Sequence, residues 1–505
     1  MDSFAIHYHE RTKYNPETIT QRSKRINFAN QPSPFKDYKV GQRYDLKPYL
    51  KGSAPDRADP DGAVWWRLSQ LLFRSYGITA KMVTLVGPPL YLRSAPSAGG
   101  LYPAEVYLLS KGTPQLPAGL YNYQSSDHSL IRFWDQQVWP ELQRVCFEHP
   151  VLAVTDYAIV TSAIFYRSAW RYEDRAYRRI FLDTGHLLGN LELAGALTGF
   201  RPYLITGFQD QAINELMYFD GALEGVLTVV PLVDERDRPS PVASPFVALP
   251  SPIHDSYAPV DDGELLYYLH RATIIHTQAD PDPEVVTNPD DKYNFPFCLK
   301  ISMATEPIDF GPNLQSLAQA MAKRRSTRTY TGADLSLEEL RSLLHFTYQP
   351  QDYQSQGLDP SPDYCDRNLL ETFVVVSGVD GLDAGCYYYA PKAQELRQIR
   401  FKNFRRELHF LCLGQDLGRD AGAVVFHTVD LKRAVQKYGD RAYRYLHLDA
   451  GHLGQRLNLA AIALDLGVSG IGGFFDDQVN DVLGIPPEEA VVYITTLGRP
   501  RSRDQ

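Results

Sequence analysis

Four short segments of this chain carry groups that could hold a flat, anionic ligand. Arg324-Arg-Ser-Thr-Arg328 puts three guanidinium groups and two hydroxyls within five residues. The planar donor fork of arginine matches phosphate oxygens. Pro96-Ser-Ala-Gly-Gly-Leu-Tyr-Pro103 sets paired glycines between prolines, a rigid loop whose backbone can approach a ligand closely. Gly470-Ile-Gly-Gly-Phe474 allows the same close approach, and Leu497-Gly-Arg-Pro-Arg501 supplies two further arginines. Taken singly, these segments read first as a solvated basic cluster, a surface turn and a basic tail. They gain meaning only if the fold brings them together.

The fold that would do so is a duplication. Tyr172-Glu-Asp-Arg-Ala-Tyr177 and Leu182-Asp-Thr-Gly-His186 recur as Tyr438-Gly-Asp-Arg-Ala-Tyr443 and Leu448-Asp-Ala-Gly-His452, a spacing of 266. The same spacing carries Ala118-Gly-Leu-Tyr-Asn-Tyr123 onto Ala384-Gly-Cys-Tyr-Tyr-Tyr389, Glu105 onto Glu371, and Gly207-Phe208 onto Gly473-Phe474. Chance does not hold one spacing from Glu105 to Phe208, so the chain contains a repeated domain.

Each copy has the same order of elements. Trp65 to Tyr76 and Ser336 to Phe346 have amphipathic spacing, the second opening on a Ser336/Glu339 capping box. Residues 105–109 and 372–376, then 119–123 and 385–389, are β-branched or aromatic runs that predict strands. A long helix follows. In the second copy Leu453, Leu457, Ala460, Ala461 and Leu464 share one face, with Gly467 as the expected stop. Residues 226–230 and 490–495 predict the last strand. No regular βαβ alternation is present, so the class is α+β. The boundaries are an extended N-terminal arm at 1–62, a first domain at 63–234, a linker with one helix around Glu264–His270 at 235–312, and a second domain at 313–505.

Composition narrows the function. Of 505 residues, 44% are hydrophobic and 22% charged, as in ordinary globular proteins. A net charge of −9 argues against a nucleic-acid partner, which usually leaves a basic face. Five cysteines without a CxxC pair suit a reducing compartment and no structural zinc. No secretory signal is visible and no apolar run approaches the ~20 residues of a membrane span. The expected setting is cytoplasmic. The 32 tyrosines read mostly as packing.

In their shared order, the four segments, the Lys437-Tyr-Gly-Asp-Arg-Ala-Tyr-Arg444 run and the following Asp-x-Gly-His resemble the nitroreductase-like FMN enzymes, most closely their SagB-type dehydrogenase branch of azoline oxidases. The resemblance spans both copies. It implies two nitroreductase-like domains, each with a mostly antiparallel sheet flanked by helices, fused as an internal pseudo-dimer. It further implies FMN at the interface, held by arginines, a glycine turn and C-terminal basic residues of one half and by the Pro-Ser loop of the other.

The spacing of 266 sorts these parts. Pro96–Gly100 falls on Pro362-Asp-Tyr-Cys-Asp366, so the second copy lacks the loop. Gly498-Arg-Pro-Arg501 falls on Leu232-Val-Asp-Glu235, so the first copy lacks the cations. The first copy has Arg57–Gly62 instead of the arginine-serine start, and Ile205-Thr-Gly-Phe208 instead of Ile471-Gly-Gly-Phe474. One complete flavin site is therefore expected. It takes Arg324, Ser326, Arg328, Gly472, Gly473, Arg499 and Arg501 from the second half and Pro96, Ser97, Ala98 and Gly100 from the first. A second site would be dead, with Asp234 and Glu235 near the phosphate position, where they repel it. FMN fits better than a dinucleotide, because no G-x-G-x-x-G follows a strand and no G-x-x-x-x-G-K occurs; no HExxH marks a metal site.

For proton transfer the resemblance implies Lys437 and Tyr438, whose first-copy counterparts are Arg171 and Tyr172. Which pair overlooks the complete site is open at this point. His186 and His452 occur in both copies and suit a structural hydrogen-bonding role. The expected activity is two-electron dehydrogenation of an azoline-like heterocycle in a peptide or natural product, with other peptide-modifying enzymes as partners. The alternatives are an NAD(P)H-dependent nitro or quinone reductase and a flavin-binding scaffold of a peptide-modifying complex.

Overall fold

The computed structural model describes residues 3–22, 26–51, 60–83, 89–235, 246–280 and 290–501. Strands β1 (Gln42–Asp45), β2 (Ala104–Ser110), β3 (Gly119–Gln124), β4 (Ser129–Trp134), β5 (Tyr157–Ile164), β6 (Phe200–Pro202) and β7 (Glu224–Asp234) form one sheet in the order β1-β4-β3-β2-β5-β7-β6. Strands β8 (Lys300–Ser302), β9 (Leu370–Val376), β10 (Gly385–Ala390), β11 (Glu395–Phe401), β12 (Ala423–Asp430), β13 (Gly467–Ile471) and β14 (Glu489–Gly498) repeat it as β8-β11-β10-β9-β12-β14-β13. All these pairings are antiparallel. Tyr107 faces Val160 and, 266 residues on, Phe373 faces Phe426. The α+β class and the duplication hold.

The helices repeat in the same way: α1 (Phe4–Arg11), α2 (Pro60–Tyr76) and α3 (Ala176–Thr198), then α4 (Leu265–Ala272), α5 (Leu337–Tyr348) and α6 (Ala442–Ala463). The Ser336/Glu339 capping box is formed at α5. No helix of the described residues is long and apolar enough to cross a membrane.

Helices α3 and α6 are packed against each other and buried along nearly their whole length. They touch at two glycines 266 apart. A methyl group on Gly185 would overlap the Leu448 carbonyl, and one on Gly451 would overlap the Leu182 carbonyl. Backbones this close leave no room for water, so charged groups on or beside these helices must find partners in the protein. The partners lie in the opposite copy. Arg175 and Arg178 bind Asp476 at 2.8 and 2.9 Å; Arg441 and Arg444 bind Asp210 at 2.6 and 2.8 Å. The repeated Asp-Arg-Ala-Tyr-Arg run is thus an interface device. His186 pairs with Gln455 and Tyr493, and His452 with Glu192. Burial pulls the His186 imidazole down to about 3, which keeps it neutral.

Three expectations need correction. The N-terminal segment is not an extended arm. Phe4–Arg11 is a helix capped by Ser3, with Phe4, Ala5 and Tyr8 fully buried. Nor are the arm and linker outside the repeat. Ala5 N donates to Asp440 at 2.8 Å, and Leu266 N to Asp174 at 3.1 Å; Tyr14 N donates to Asp476 and Ile275 N to Asp210, both at 2.8 Å. So α1 and α4 are equivalent, and His9-Glu-Arg-Thr12 and His270-Arg-Ala-Thr273 are a further repeat, at a spacing of 261. Each copy's opening helix docks on the other copy. Likewise Lys36 pairs with Glu224 and Lys292 with Glu489. The repeat therefore extends back beyond residues 63 and 313, to Phe4 and Leu265. Third, Gly467 does not stop α6. Asp465 (φ 55°) takes the left-handed place that Gly199 (φ 70°) takes after α3, and Gly467 opens β13.

Gly185→Ala and Gly451→Ala should each cost about 1–3 kcal/mol or more, because the obstacle is backbone and not a flexible side chain. Thermal denaturation of the two variants checks this. Melting temperatures equal to the parent's would mean that the helices are not held at this distance.

Candidate active site

The pseudo-twofold relation makes two crevices, each between a loop of one copy and a turn of the other. In the first crevice the loop is Pro96–Gly100. Ser97 Oγ donates to Asp183 at 2.5 Å, Ala98 N donates to Asp183 at 3.1 Å, and Tyr102 N donates to Ser97 Oγ at 2.8 Å. Gly99 and Gly100 have φ of 65° and 67°, which glycine adopts without strain. A side chain at Gly99 would meet the Tyr172 hydroxyl at 2.8 Å and Arg171 at 3.4 Å.

The second copy supplies the other wall. Arg324 crosses over and donates to the Ser94 carbonyl at 2.5 Å and the Arg93 carbonyl at 3.0 Å. Its Nη1 is buried without a partner. Burial lowers this guanidinium to about 10, still cationic at neutral pH. The Gly472 and Gly473 amides have no hydrogen-bond partner among the described residues. Arg179 of α3 lies over them: a methyl on Gly472 would be 3.5 Å from its Nε. The Arg179 guanidinium stacks 3.8 Å from the Tyr172 ring centre, and its Nη1 is also buried and unpartnered. Burial pushes the Tyr14 hydroxyl up, but Arg179 and Arg175 outweigh it and hold Tyr14 below its ordinary range.

The two basic segments lie side by side. Arg501 N donates to the Thr329 carbonyl at 3.1 Å, and Thr331 N to the Arg499 carbonyl at 2.9 Å. Arg328 and Arg501 are exposed and Ser326 is half-buried. Arg499 is engaged elsewhere. It forms a bidentate pair with Glu339, in the first turn of α5, at 2.7 and 2.8 Å.

The second crevice differs at the equivalent points among the described residues. Thr206 N and Gly207 N, the counterparts of the Gly472 and Gly473 amides, donate to the Val247 carbonyl at 2.8 and 3.2 Å. Tyr445, the counterpart of Arg179, donates to the Leu249 carbonyl at 2.6 Å. Residues 246–251 thus run through this crevice. A hollow of about 550 Å³ remains, with Phe246, Tyr364, Cys365 and Tyr438 in its walls. Where Arg501 has its counterpart, Glu235 is pushed up by burial and by Asp359. Asp234 pairs with Arg67, and Arg201 is neutralised by Asp359 and Asp363. The first copy's Arg57–Pro60 stretch lies partly outside the described residues.

The loop of the second copy is rebuilt, not missing. Cys365 N and Asp366 N donate to Asp449 at 2.8 Å each, as Ala98 N does to Asp183. Burial pushes both aspartates up to about 7, against the hydrogen bonds they accept. Lys437 Nζ lies 2.7 Å and the Tyr438 hydroxyl 3.2 Å from Asp366. The expected proton-transfer pair is therefore placed at the second crevice. Arg171 and Tyr172 stand at the first, beside Pro96–Gly100. Arg179 and Asp183 escaped the sequence reading. The signal for Arg179 was the mismatch with Tyr445 in an otherwise repeated run.

The chain matches the Nitroreductase family over residues 73–232 and 321–499 and belongs to it. A nitroreductase-family protein from Anabaena variabilis, known from a crystal structure, is 63% identical, with a TM-score of 0.94 over 99% of this chain and 100% of that one. A nitroreductase-family protein of Methanocaldococcus jannaschii is 31% identical over 183 residues, 36% of this chain and 90% of its own length. Microcin B17-processing protein McbC of Escherichia coli is 29% identical over 148 residues, 28% of this chain and 52% of McbC.

Asp183 and Asp449 give the fold a pH response. Each has a folded pKa raised from an ordinary 3.8 to about 7. Their contribution is complete below about 4 and is lost as pH rises through about 7, at about 1.4 kcal/mol per pH unit for each group. The urea midpoint should fall more between pH 5 and pH 8 in the parent than in Asp183→Asn/Asp449→Asn, whose amides still accept hydrogen bonds. Parallel curves would rule these carboxyls out.

Proposed function

We propose that the chain is an FMN-dependent oxidoreductase of the SagB type with a single flavin site, in the first crevice. The observation that carries this reading is the difference in donors. Arg324 Nη1 is buried without a partner there and the half-exposed Gly472 and Gly473 amides meet no acceptor among the described residues, whereas the equivalent turn amides of the second crevice are capped by Val247. An FMN phosphate bears close to two negative charges and needs several cationic donors to leave water. Ser326, Arg328 and Arg501 would hold it. Arg499, clasped by Glu339, would fix α5 against the basic segments instead. Pro96, Ser97, Ala98 and Gly100 would form one lip of the ring site and Gly472 and Gly473 the other. In the second crevice, acids near the phosphate position would repel it.

When bound, FMN supplies two-electron hydride chemistry. The chain supplies position and protons. Asp183 holds the Ser97 lip. Burial raises the Tyr172 hydroxyl despite Arg179 and Arg171, so it stays protonated at neutral pH and can donate beside Gly99. Arg171 takes the place of Lys437, and an arginine is a poor general base.

For the substrate, the order of motifs and the similarity to Microcin B17-processing protein support dehydrogenation of an azoline-like heterocycle, alongside other peptide-modifying enzymes. A second reading, an NAD(P)H-fed nitro or quinone reductase, is favoured by one observation. Arg171 stands where a lysine base would stand, and Lys437 is tied to Asp366 in the other crevice.

Purified protein should carry close to one FMN per chain. Ser97→Tyr and Arg324→Ala, in opposite halves, should each weaken FMN binding tenfold or more. A stoichiometry near two would refute the single-site reading. Rapid anaerobic bleaching by NADPH would select the reductase.

A further inference from the structure

The first crevice holds two cations that the cofactor reading leaves unused. Arg171 lies against the loop, its Nη1 3.5 Å from where a Gly99 methyl would be and its Cζ 5.6 Å from the Tyr172 ring centre. Arg179 flanks the same ring at 3.8 Å and is only 5% exposed, with Nη1 unpartnered. No carboxylate pairs with either arginine among the described residues. Their counterparts are both satisfied: Lys437 by Asp366, and Tyr445 by the Leu249 carbonyl. A buried guanidinium with an unmade hydrogen bond is costly, and a bound anion removes that cost.

We propose that Arg171 and Arg179 bind the substrate through a carboxylate, so that this crevice takes a small cyclic acid, or the C-terminal residue of a peptide, and not an internal peptide residue. The proposal rests on the reading of the first crevice as the reaction site. Two planar guanidinium groups around one tyrosine ring make a slot for a flat, conjugated acid. The basic run Arg324–Arg328 opens at Arg324, which is anchored on the Ser94 and Arg93 carbonyls. The buried place of Arg179 suits a compact anion more than the exposed phosphates of an extended dinucleotide.

The test is calorimetric titration of the purified full-length protein, with whatever flavin it carries, using benzoate, its neutral isostere benzamide, and inorganic phosphate. Benzoate should bind at least tenfold tighter than benzamide. Arg171→Gln should weaken benzoate at least fivefold and leave benzamide unchanged, and Arg179→Tyr, which installs the residue of the other copy, should do the same. Equal affinity for benzoate and benzamide would overturn the proposal. So would phosphate binding tighter than benzoate with the same arginine dependence, which would make this a phosphate site. If Arg179→Tyr fails to fold or sheds flavin, the exposed Arg171→Gln decides alone. Flavin-free protein that still selects benzoate through Arg171 would remove the flavin reading and leave the acid site standing.

Discussion

The contact between Gly185 and Gly451 sets the terms for the rest of the molecule. It brings α3 and α6 to backbone distance, and both helices then lie inside the protein. A helix buried on all sides would ordinarily be apolar. These carry arginines, histidines, aspartates and a glutamate. Removing one partner of a buried ion pair typically costs about 3–5 kcal/mol, because it strands the other charge. Five arginine charges are answered across the interface. Asp476 answers Arg175 and Arg178, Asp210 answers Arg441 and Arg444, and Glu192 answers Arg456. The reciprocal docking of α1 on Asp440 and α4 on Asp174 belongs to the same scheme. The two copies cannot be separated without exposing these groups, so the duplication works as one body.

That body is nearly symmetric in its frame and asymmetric in its crevices. In a pair of identical chains, every substitution appears in both interfacial sites. Fusion removes that restriction. The connection after β7 returns through the second crevice, where the Val247 carbonyl caps two turn amides and Leu249 packs on Gly207. The corresponding turn at Gly472 and Gly473 has no such cap. Covalent connectivity accounts for this difference: the chain leaving the first copy supplies the cap at Thr206 and Gly207.

The sequence disclosed the parts whose spacing stayed constant. Between Glu105 and Phe208 and their counterparts the repeat keeps a spacing of 266, and there two strands of each sheet, the central helices and the glycine turns were legible, while the strands at 129–134 and 157–164 and their counterparts were not. It failed where the spacing drifted. The α1/α4 equivalence lies at 261, in polar segments with little periodicity, and so read as an arm and a linker. The loop gripping Asp449 is shifted towards Cys365 and Asp366, so a rigid spacing placed a deletion where the structure has a substitute. The place of Lys437 could not be derived at all from sequence. Which of two interfacial crevices a helix end faces depends on how the halves cross, and that is a property of the Gly185–Gly451 contact and not of any local motif.

The two crevices also act as controls for each other. Folding penalises a buried donor without an acceptor, whatever the donor might later bind. In the second crevice three of these points are satisfied: the turn amides meet Val247, Tyr445 meets Leu249, and Lys437 meets Asp366, while the Tyr364 hydroxyl in its wall stays unmatched. In the first, Arg324 Nη1 and Arg179 Nη1 stay buried and unmatched, and the glycine turn stays uncapped. The same chain contains both solutions, so the unmatched donors are not a requirement of the fold. They set the first crevice apart from the second at these positions.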